Sequence, residues 1–213
     1  MRAWHWRAAG LLACVLTLLC GACSSASLEY FARAARWLRA KPLTHGRPVI
    51  LYGVSRGGEG ALLIASYEPH LFEAVIASSP SANANGAIGG SIGPAGSAWT
   101  FHGKPLVPGT EIPVGRIRVP LLIGDGGLDA VWNSATSASV IVTELQSAHD
   151  PAPYVNLYYP DAGHAIVGAP PYFPYADYGA NGDFMGGSQQ ANALAMERSW
   201  ARMIEFINDP WHP

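Results

Sequence analysis

Apolar positions along the chain form two kinds of pattern, short continuous runs and stripes at helical spacing. Continuous apolar runs that are partly β-branched are typical of strands buried on both faces of a parallel sheet. Four segments have this form: PVILY (residues 48–52), FEAVIASS (72–79), VPLLIGDGG (119–127) and YVNLYYPDAGH (154–164). They predict four strands.

Stripes at helical spacing alternate with these runs. They predict a helix that ends before Pro42, a helix that stops near Pro69 and a final helix close to the C-terminus. Strands that alternate with helices predict one α/β domain with a mostly parallel sheet, over residues 28–210. The apolar positions of the stripes are Leu28, Phe31, Ala35 and Leu38, then Ala61, Leu62 and Ala65, then Ala193, Met196, Trp200, Met203, Ile204 and Ile207.

Between the second and third runs, residues 81–118 are dominated by Gly, Ala, Ser and Pro. These residue types favour turns and irregular backbone. We expect this excursion to be a cap or a substrate loop.

The first 23 residues have the features of a targeting segment. Arg2 and Arg7 form a basic region, and the almost wholly apolar residues 8–19 are too few to span a bilayer comfortably. The CGACSS motif that follows is similar to a lipobox, in which Cys23 would become the lipidated first residue of the mature chain. These features predict export and a lipid anchor in the cell envelope. The alternatives are an uncleaved membrane anchor or a misassigned start codon, which would leave the protein in the cytoplasm.

Charge and cysteine content exclude several classes of function. A net charge of −2, with only 13% charged residues, lacks the electrostatic footprint of a nucleic-acid-binding protein. The cysteines Cys14, Cys20 and Cys23 all lie in the N-terminal segment, so the predicted domain has neither a disulfide framework nor a thiol nucleophile. Catalysis would use oxygen or nitrogen atoms, and the sequence indicates neither a metal nor an organic cofactor.

The stretch YGVSRGGEG at residues 52–60 carries the first chemical signal. Gly53, Ser55 and Gly57 match the G-x-S-x-G pattern of a nucleophile elbow, a sharp strand-to-helix turn that lifts the serine hydroxyl above the sheet. An ordinary glycine-rich turn would have a similar composition. The predicted strand before Ser55 and the predicted helix after it favour the elbow, in which the backbone N–H of Arg56 would be an oxyanion-hole donor.

Further polar positions follow the last two predicted strands. Asp125 and Asp129 come at the carboxyl end of the third predicted strand, and His164 comes at the carboxyl end of the fourth. Active groups of open parallel sheets lie beyond the carboxyl ends of the strands. Ser55, an aspartate and His164 would therefore meet there, in the chain order of an α/β-hydrolase triad. Position alone leaves both aspartates open.

Four stretches are more specific: LEYFARAARWL, GVSRGGEGALLIAS, GDGGLDAVWNS and YYPDAGHAIVGAPPYFP. They resemble the C-terminal domain family of acyl-CoA thioester hydrolases and bile acid-CoA:amino acid N-acyltransferases, a branch of the α/β-hydrolases. In order, they are similar to the family's pre-elbow helix, its elbow with a following glutamate, here Glu59, its acid loop and its histidine loop. Trp132 and Ser134 align the family's acid with Asp129 rather than Asp125.

The resemblance implies a fold and an activity. The fold is an α/β-hydrolase-type sheet flanked by helices and missing the family's early strands, because a leader-like segment runs directly into the pre-elbow helix. The activity is hydrolysis of acyl esters or thioesters, acyl-CoA among them, through an acyl-enzyme formed by Ser55, His164 and Asp129. Conjugating members use cysteine as the nucleophile, so Ser55 favours hydrolysis over acyl transfer.

The missing early strands and the leader-like segment are departures from the family's pattern, and each suggests an alternative. One missing strand leads to the second oxyanion donor, so a catalytically impaired, ligand-binding or truncated protein is the alternative to an enzyme. Export would favour a substrate other than cytosolic acyl-CoA. Five aromatic residues are candidates either for an acyl pocket or for packing under the long loops: Trp99, Phe101, Tyr172, Phe173 and Tyr175.

Overall fold

The structure is a computed structural model that describes residues 14–15, 26–46, 49–87, 96–149, 152–164 and 185–213. Four positions singled out from the sequence lie outside these residues: Cys23, Tyr172, Phe173 and Tyr175. Lipidation of Cys23 and the pocket role of the three aromatic residues therefore stay predictions.

The described strands form two sheets. They are β1 (Cys14–Val15), β2 (Ala26–Ser27), β3 (Val49–Val54), β4 (Phe72–Ser78), β5 (Trp99–Phe101), β6 (Lys104–Pro105), β7 (Leu121–Gly126) and β8 (Tyr154–Tyr159). A five-stranded parallel sheet forms the centre of the domain, in the order β1-β3-β4-β7-β8. A second sheet has the order β2-β5-β6. The four predicted strands are confirmed as β3, β4, β7 and β8.

Helices cover both faces of the large sheet. They are α1 (Leu28–Arg39), α2 (Arg56–Tyr67), α3 (Ser134–Ser147) and α4 (Gln189–Asn208). Successive side chains of a strand point to opposite faces. Accordingly Val75 and Ile123 belong to the larger apolar cluster with α1, α2 and α3, whereas Ile76 and Leu122 belong to the cluster with α4. The predicted α/β architecture is confirmed.

Helix α3 is a described helix that the apolar pattern of the sequence does not predict. Its sequence, SATSASVIVTELQS, is rich in Ser and Thr, which weakens the contrast between its apolar and polar faces. Its buried stripe is nevertheless regular, with Ala138, Ile141 and Leu145 in the larger apolar cluster. The side chain of Asn133 accepts the Thr136 N–H at 2.9 Å, so an N-cap residue was the available signal.

The described parts of the excursion, residues 81–87 and 96–118, pack into the domain. A Cβ on Gly60 of α2 would lie 2.5 Å from Cη2 of Trp99, so the missing side chain at Gly60 allows Trp99 to approach the helix closely. The alanines that indicate a loop in the sequence are buried here, and a cap or substrate role for the excursion stays a prediction. The buried apolar residues of these parts are Ala82, Ala84, Ala98, Trp99, Ile112, Val114 and Ile117.

The strand β1 lies inside the predicted leader. Cys14 pairs with Leu51 and Val15 with Tyr52, in parallel, at the edge of the sheet. This pairing gives part of the apolar stretch a place in the sheet, and export stays a prediction. Among the described residues, no helix combines the length and the apolar character needed to cross a membrane.

Candidate active site

Ser55 occupies a strained turn between β3 and α2. Its φ of 57° and ψ of −122° lie in a region that residues other than glycine rarely adopt. Its N–H donates to the carbonyl of Ser78 at 2.8 Å, which ties the turn to the end of β4. The strand, sharp turn and helix that the elbow motif requires are present.

Two glycines make this turn possible. A Cβ on Gly53 would lie 2.0 Å from the carbonyl oxygen of Gly57, and a Cβ on Gly58 would lie 2.9 Å from that of Ser78. Both contacts involve backbone atoms, so no side-chain rotation could relieve them. The next residue after Ser55, Arg56, begins α2. Its N–H has no acceptor inside the helix, and the positive end of the helix dipole favours a negative charge there.

Asp129 and His164 form a buried pair. His164 Nδ1 lies 2.8 Å from Asp129 Oδ2, and the two side chains are only 3% and 1% exposed. The other carboxylate oxygen accepts the N–H groups of Val131 and Trp132, at 3.0 and 3.2 Å. Because the carboxylate accepts a hydrogen bond from Nδ1–H, the neutral imidazole presents Nε2 as an acceptor. Nε2 is buried and has no hydrogen-bond partner among the residues that the structure describes.

A short segment before α4 holds the two loops that carry this pair. Gly186 forms a bridge with Asp129, and Gly187 forms one with Ala162. Both glycines have positive φ, at 82° and 66°. The N–H of His164 donates to the carbonyl of Met185 at 2.8 Å. We name residues 185–187 the strap. The sequence analysis missed it, although a Gly-Gly pair just before a helix was a visible signal for special backbone geometry.

Asn192 supports the strap from α4. Its side-chain oxygen accepts the Gly163 N–H at 2.7 Å, and its amide donates to the carbonyl of Gly186 at 3.1 Å. The side chain is buried with both polar groups satisfied. It therefore joins the histidine loop to the strap, a role that no sequence pattern indicated.

Asp125 takes a different position, inside β7. It is 1% exposed. Burial raises its pKa to about 7, a hydrogen bond with Asn156 opposes this rise, and the nearby Asp129 adds to it. Within the described part of the chain, its Oδ1 has no hydrogen-bond partner. Of the two candidate aspartates, Asp129 is the one that contacts His164.

Asp125 also lines an open cleft of about 350 Å³ between β8 and α3. The other lining residues are Ala135, Thr136, Ser139, Asn156 and Tyr158. Within the described residues, no cluster of three or more His, Cys, Asp or Glu side chains could hold a metal ion.

Ser55 lies at the same edge of the sheet as this pair, because it follows β3 while Asp129 follows β7 and His164 follows β8. No hydrogen bond joins Ser55 to the imidazole in the described part of the chain, since Nδ1 faces Asp129 and Nε2 is unpartnered. Nε2 is thus the ring atom left to receive a proton.

The two described aromatic candidates have packing contacts. Trp99 is 1% exposed, and its indole N–H donates to Glu59 at 2.5 Å. Phe101 packs against Tyr67 with ring centroids 4.3 Å apart. Both arrangements favour the packing alternative over a role in an acyl pocket.

The sequence model of the family described as "BAAT / Acyl-CoA thioester hydrolase C terminal" matches residues 26–89 and 101–211. The chain belongs to this family. The matched residues include the elbow, the acid loop and the histidine loop, so the resemblance inferred from these motifs is confirmed for the BAAT C-terminal family.

Curated relatives carry thioesterase names. The chain is 31% identical to mouse (Mus musculus) "Acyl-coenzyme A thioesterase 2, mitochondrial" over 216 residues, covering 85% of this chain and 44% of the relative. It is 28% identical to human (Homo sapiens) "Acyl-coenzyme A thioesterase 1", covering 85% of this chain and 48% of the relative. The chain therefore spans about half the length of these relatives.

A solved structure confirms the fold. A dienelactone hydrolase-like promiscuous phosphotriesterase from metagenomic libraries superposes with a TM-score of 0.56 at 20% sequence identity. The match covers 85% of this chain and 61% of that chain. At this identity the likeness concerns the α/β-hydrolase fold alone.

Proposed function

We propose that this protein is a serine hydrolase that cleaves acyl esters or thioesters through Ser55, His164 and Asp129. The observation that carries the proposal is the buried His164–Asp129 pair, with Nδ1 and Oδ2 2.8 Å apart and with no partner for Nε2 among the described residues. It lies at the sheet edge where the strained elbow presents Ser55. Membership of the BAAT C-terminal family supports the same reaction class.

The reaction begins with Ser55. Its Oγ forms a bond with the acyl carbonyl carbon while its proton passes to Nε2 of His164. Asp129 stabilises the imidazolium that results. The negative charge on the carbonyl oxygen develops near the N-terminus of α2, where the N–H of Arg56 is the proposed donor.

The acyl-enzyme forms when this intermediate collapses. The bond from carbon to the leaving sulfur or oxygen breaks, and the leaving group takes the proton from Nε2. Water then attacks the serine ester, gives its proton to Nε2 and releases the carboxylic acid, while the proton returns to Ser55. No step needs a redox partner.

The proposed substrates are acyl thioesters of the coenzyme A type or acyl esters with a similar carbonyl. The names of the relatives support the thioester class. Within the BAAT C-terminal family, the resemblance of the elbow implies hydrolysis rather than transfer, because the nucleophile here is Ser55 and not a cysteine.

Labelling with a fluorophosphonate probe tests the nucleophile. We expect one adduct on Ser55, no labelling of Ser55→Ala, and release of free thiol from acyl-CoA by the unmodified protein and by Ser66→Ala but not by Ser55→Ala. Ser66→Ala is the matched control, because Ser66 is a buried serine on the same helix whose hydroxyl donates to the Leu62 carbonyl. Labelling that persists in Ser55→Ala would show that the nucleophile lies elsewhere.

A further inference from the structure

Glu59 is a fully buried carboxylate beside the elbow, with 0% exposure. Its Oε1 accepts the N–H of Asn85 at 2.8 Å and the indole N–H of Trp99 at 2.5 Å. Its Oε2 accepts from Arg56 at 2.8 Å and from the Asn85 amide at 2.7 Å. Four donors thus surround one charge, which offsets the large cost of removing a carboxylate from water.

These donors come from separate segments of the chain. Arg56 belongs to the elbow, Asn85 to the loop after β4, and Trp99 to β5. Glu59 is therefore the point at which the excursion is joined to the helix that follows Ser55. The positive charge of Arg56 is paired with Glu59 and cannot act as an isolated charge.

From Arg56 a line of contacts leads to the imidazole. The guanidinium carbon lies 5.6 Å from the ring centroid of Trp132. The Trp132 and His164 rings meet edge to face, with centroids 5.3 Å apart and an angle of 88°. The indole N–H donates to the carbonyl of Ser79 at 3.0 Å, so the ring is held between the ends of β4 and β7.

We propose that Glu59 is a positioning residue for the reaction proposed above: it holds the Arg56 guanidinium against Trp132 and thereby fixes and electrically balances the surroundings of His164. The inference rests on the proposed hydrolase function. Positioning follows from the contacts, because Trp132 touches the imidazole with its ring and the carboxylate of Asp129 with its backbone N–H.

The electrostatic part of the proposal follows from the charge of Glu59, which neutralises the Arg56 guanidinium near His164. The described groups around His164 are Asp129 in direct contact, Asp125 close to Asp129, the Glu59–Arg56 pair beyond Trp132, and exposed Asp161. Without the Glu59 charge, the guanidinium would oppose formation of the imidazolium. At roughly 10 Å and an effective dielectric constant of about 20, one unpaired charge shifts a titration by about one pH unit.

Glu59→Gln in the full chain is the direct test, because it keeps the shape of the side chain and removes its charge. We expect kcat to fall about 10- to 100-fold with little change in KM, since a displaced general base costs rate rather than binding. We also expect the acidic limb of the kcat/KM profile to move about one unit to lower pH. A purely structural role would lower Tm without moving that limb.

The double variant Glu59→Gln/Arg56→Met separates charge from position. It removes both members of the pair, so the acidic limb should return to its original pH while kcat stays low. Glu144→Gln is the matched control, because Glu144 is also a carboxylate that accepts a backbone N–H, from Gly115 at 3.0 Å, and it should leave both readouts unchanged.

The outcomes are distinguishable. If Glu59→Gln does not fold, the double variant decides, because it leaves no unpaired charge: wild-type kcat in that variant would overturn the proposal. A folded Glu59→Gln with an unmoved acidic limb would overturn it as well. Failure of the unmodified protein to label at Ser55 would instead refute the proposed function, whatever the Glu59 variants do.

Discussion

The elbow and the acid–histidine side of the site are built in contrasting ways. On the elbow side, the buried carboxylate of Glu59 is satisfied by four donors and the glycines pack backbone against backbone. The opposite side, from β7 to the histidine loop, contains three of the four buried side-chain polar atoms that lack a hydrogen-bond partner among the described residues. They are Asp125 Oδ1, Ser134 Oγ and His164 Nε2.

The contrast indicates different tasks: the elbow side fixes the position of the nucleophile, and the acid–histidine side transfers the proton. A nucleophile needs a fixed direction, and the hydrogen-bonded Glu59 carboxylate together with the tightly packed glycines provides it. A general base needs an unoccupied acceptor, and leaving a buried group unpaired costs about 1 to 3 kcal/mol. The elbow side is therefore expected to dominate stability, and the acid–histidine side to dominate rate and pH dependence.

The largest expected effect is a loss of kcat caused by a substitution on the acid–histidine side. Asp129→Asn should keep the fold and lower kcat by up to about 10⁴-fold, because an amide favours the wrong imidazole tautomer and does not balance the imidazolium. Asp125→Asn should cost far less, since Asp125 does not hold His164. Hydrolysis of a short acyl nitrophenyl ester by both variants measures the difference. A larger loss in Asp125→Asn would contradict the assignment of the acid.

The next largest effect is a loss of stability caused by a substitution on the elbow side. Gly53→Ala should lower the free energy of unfolding by about 3 kcal/mol or more, because the added methyl would meet the Gly57 carbonyl oxygen at 2.0 Å. Gly103→Ala is the control: it has a positive φ of 70° but nothing within 4 Å of the new Cβ, so it should cost only about 1 kcal/mol. Urea unfolding measures both. Equal losses would mean that close packing at the elbow is not what stabilises the turn.

The smallest expected effect is a pH-dependent change in stability that arises from Asp125, on the acid–histidine side. The pKa of Asp125 is raised to about 7 from 3.8, so the folded state holds its proton more tightly and stability falls as pH rises from about 4 to about 7. Asp125→Asn removes this penalty. Because the carboxyl opens onto a cleft, we expect a gain of roughly 2 kcal/mol at pH 8, about half of the full linkage value.

At pH 4 that gain should disappear, since the carboxyl is then largely protonated in the folded protein. Urea unfolding of the two proteins at both pH values measures the change. An equal difference at pH 4 and pH 8 would show that Asp125 acts by packing and not by ionisation.

The sequence predicts best where one local pattern determines the structure. The run before Ser55 and the glycines after it specify strand, turn and helix within a few residues, and these are confirmed as β3 and α2. The resemblance of the residues around Trp132 to the family's acid loop predicted Asp129 as the acid, and in the structure that carboxylate contacts His164.

What the sequence could not predict depends on contacts between distant segments. The burial of Asp125 follows from its place inside β7 beside β8, and the four bonds of Glu59 come from residues up to Trp99. The excursion has the composition of a loop, yet its alanines are small because they pack closely in the core. Local composition cannot distinguish an exposed turn from a closely packed one.

The strap has a consequence for the order in which the site can form. The contacts described for the elbow lie within residues 53–99, whereas Asp129 and His164 are held by Gly186 and Met185, which are synthesised later. During synthesis, a growing chain would thus present Ser55 on a formed elbow before its base and acid are locked in place, so the nucleophile would remain unactivated until the last helix is made.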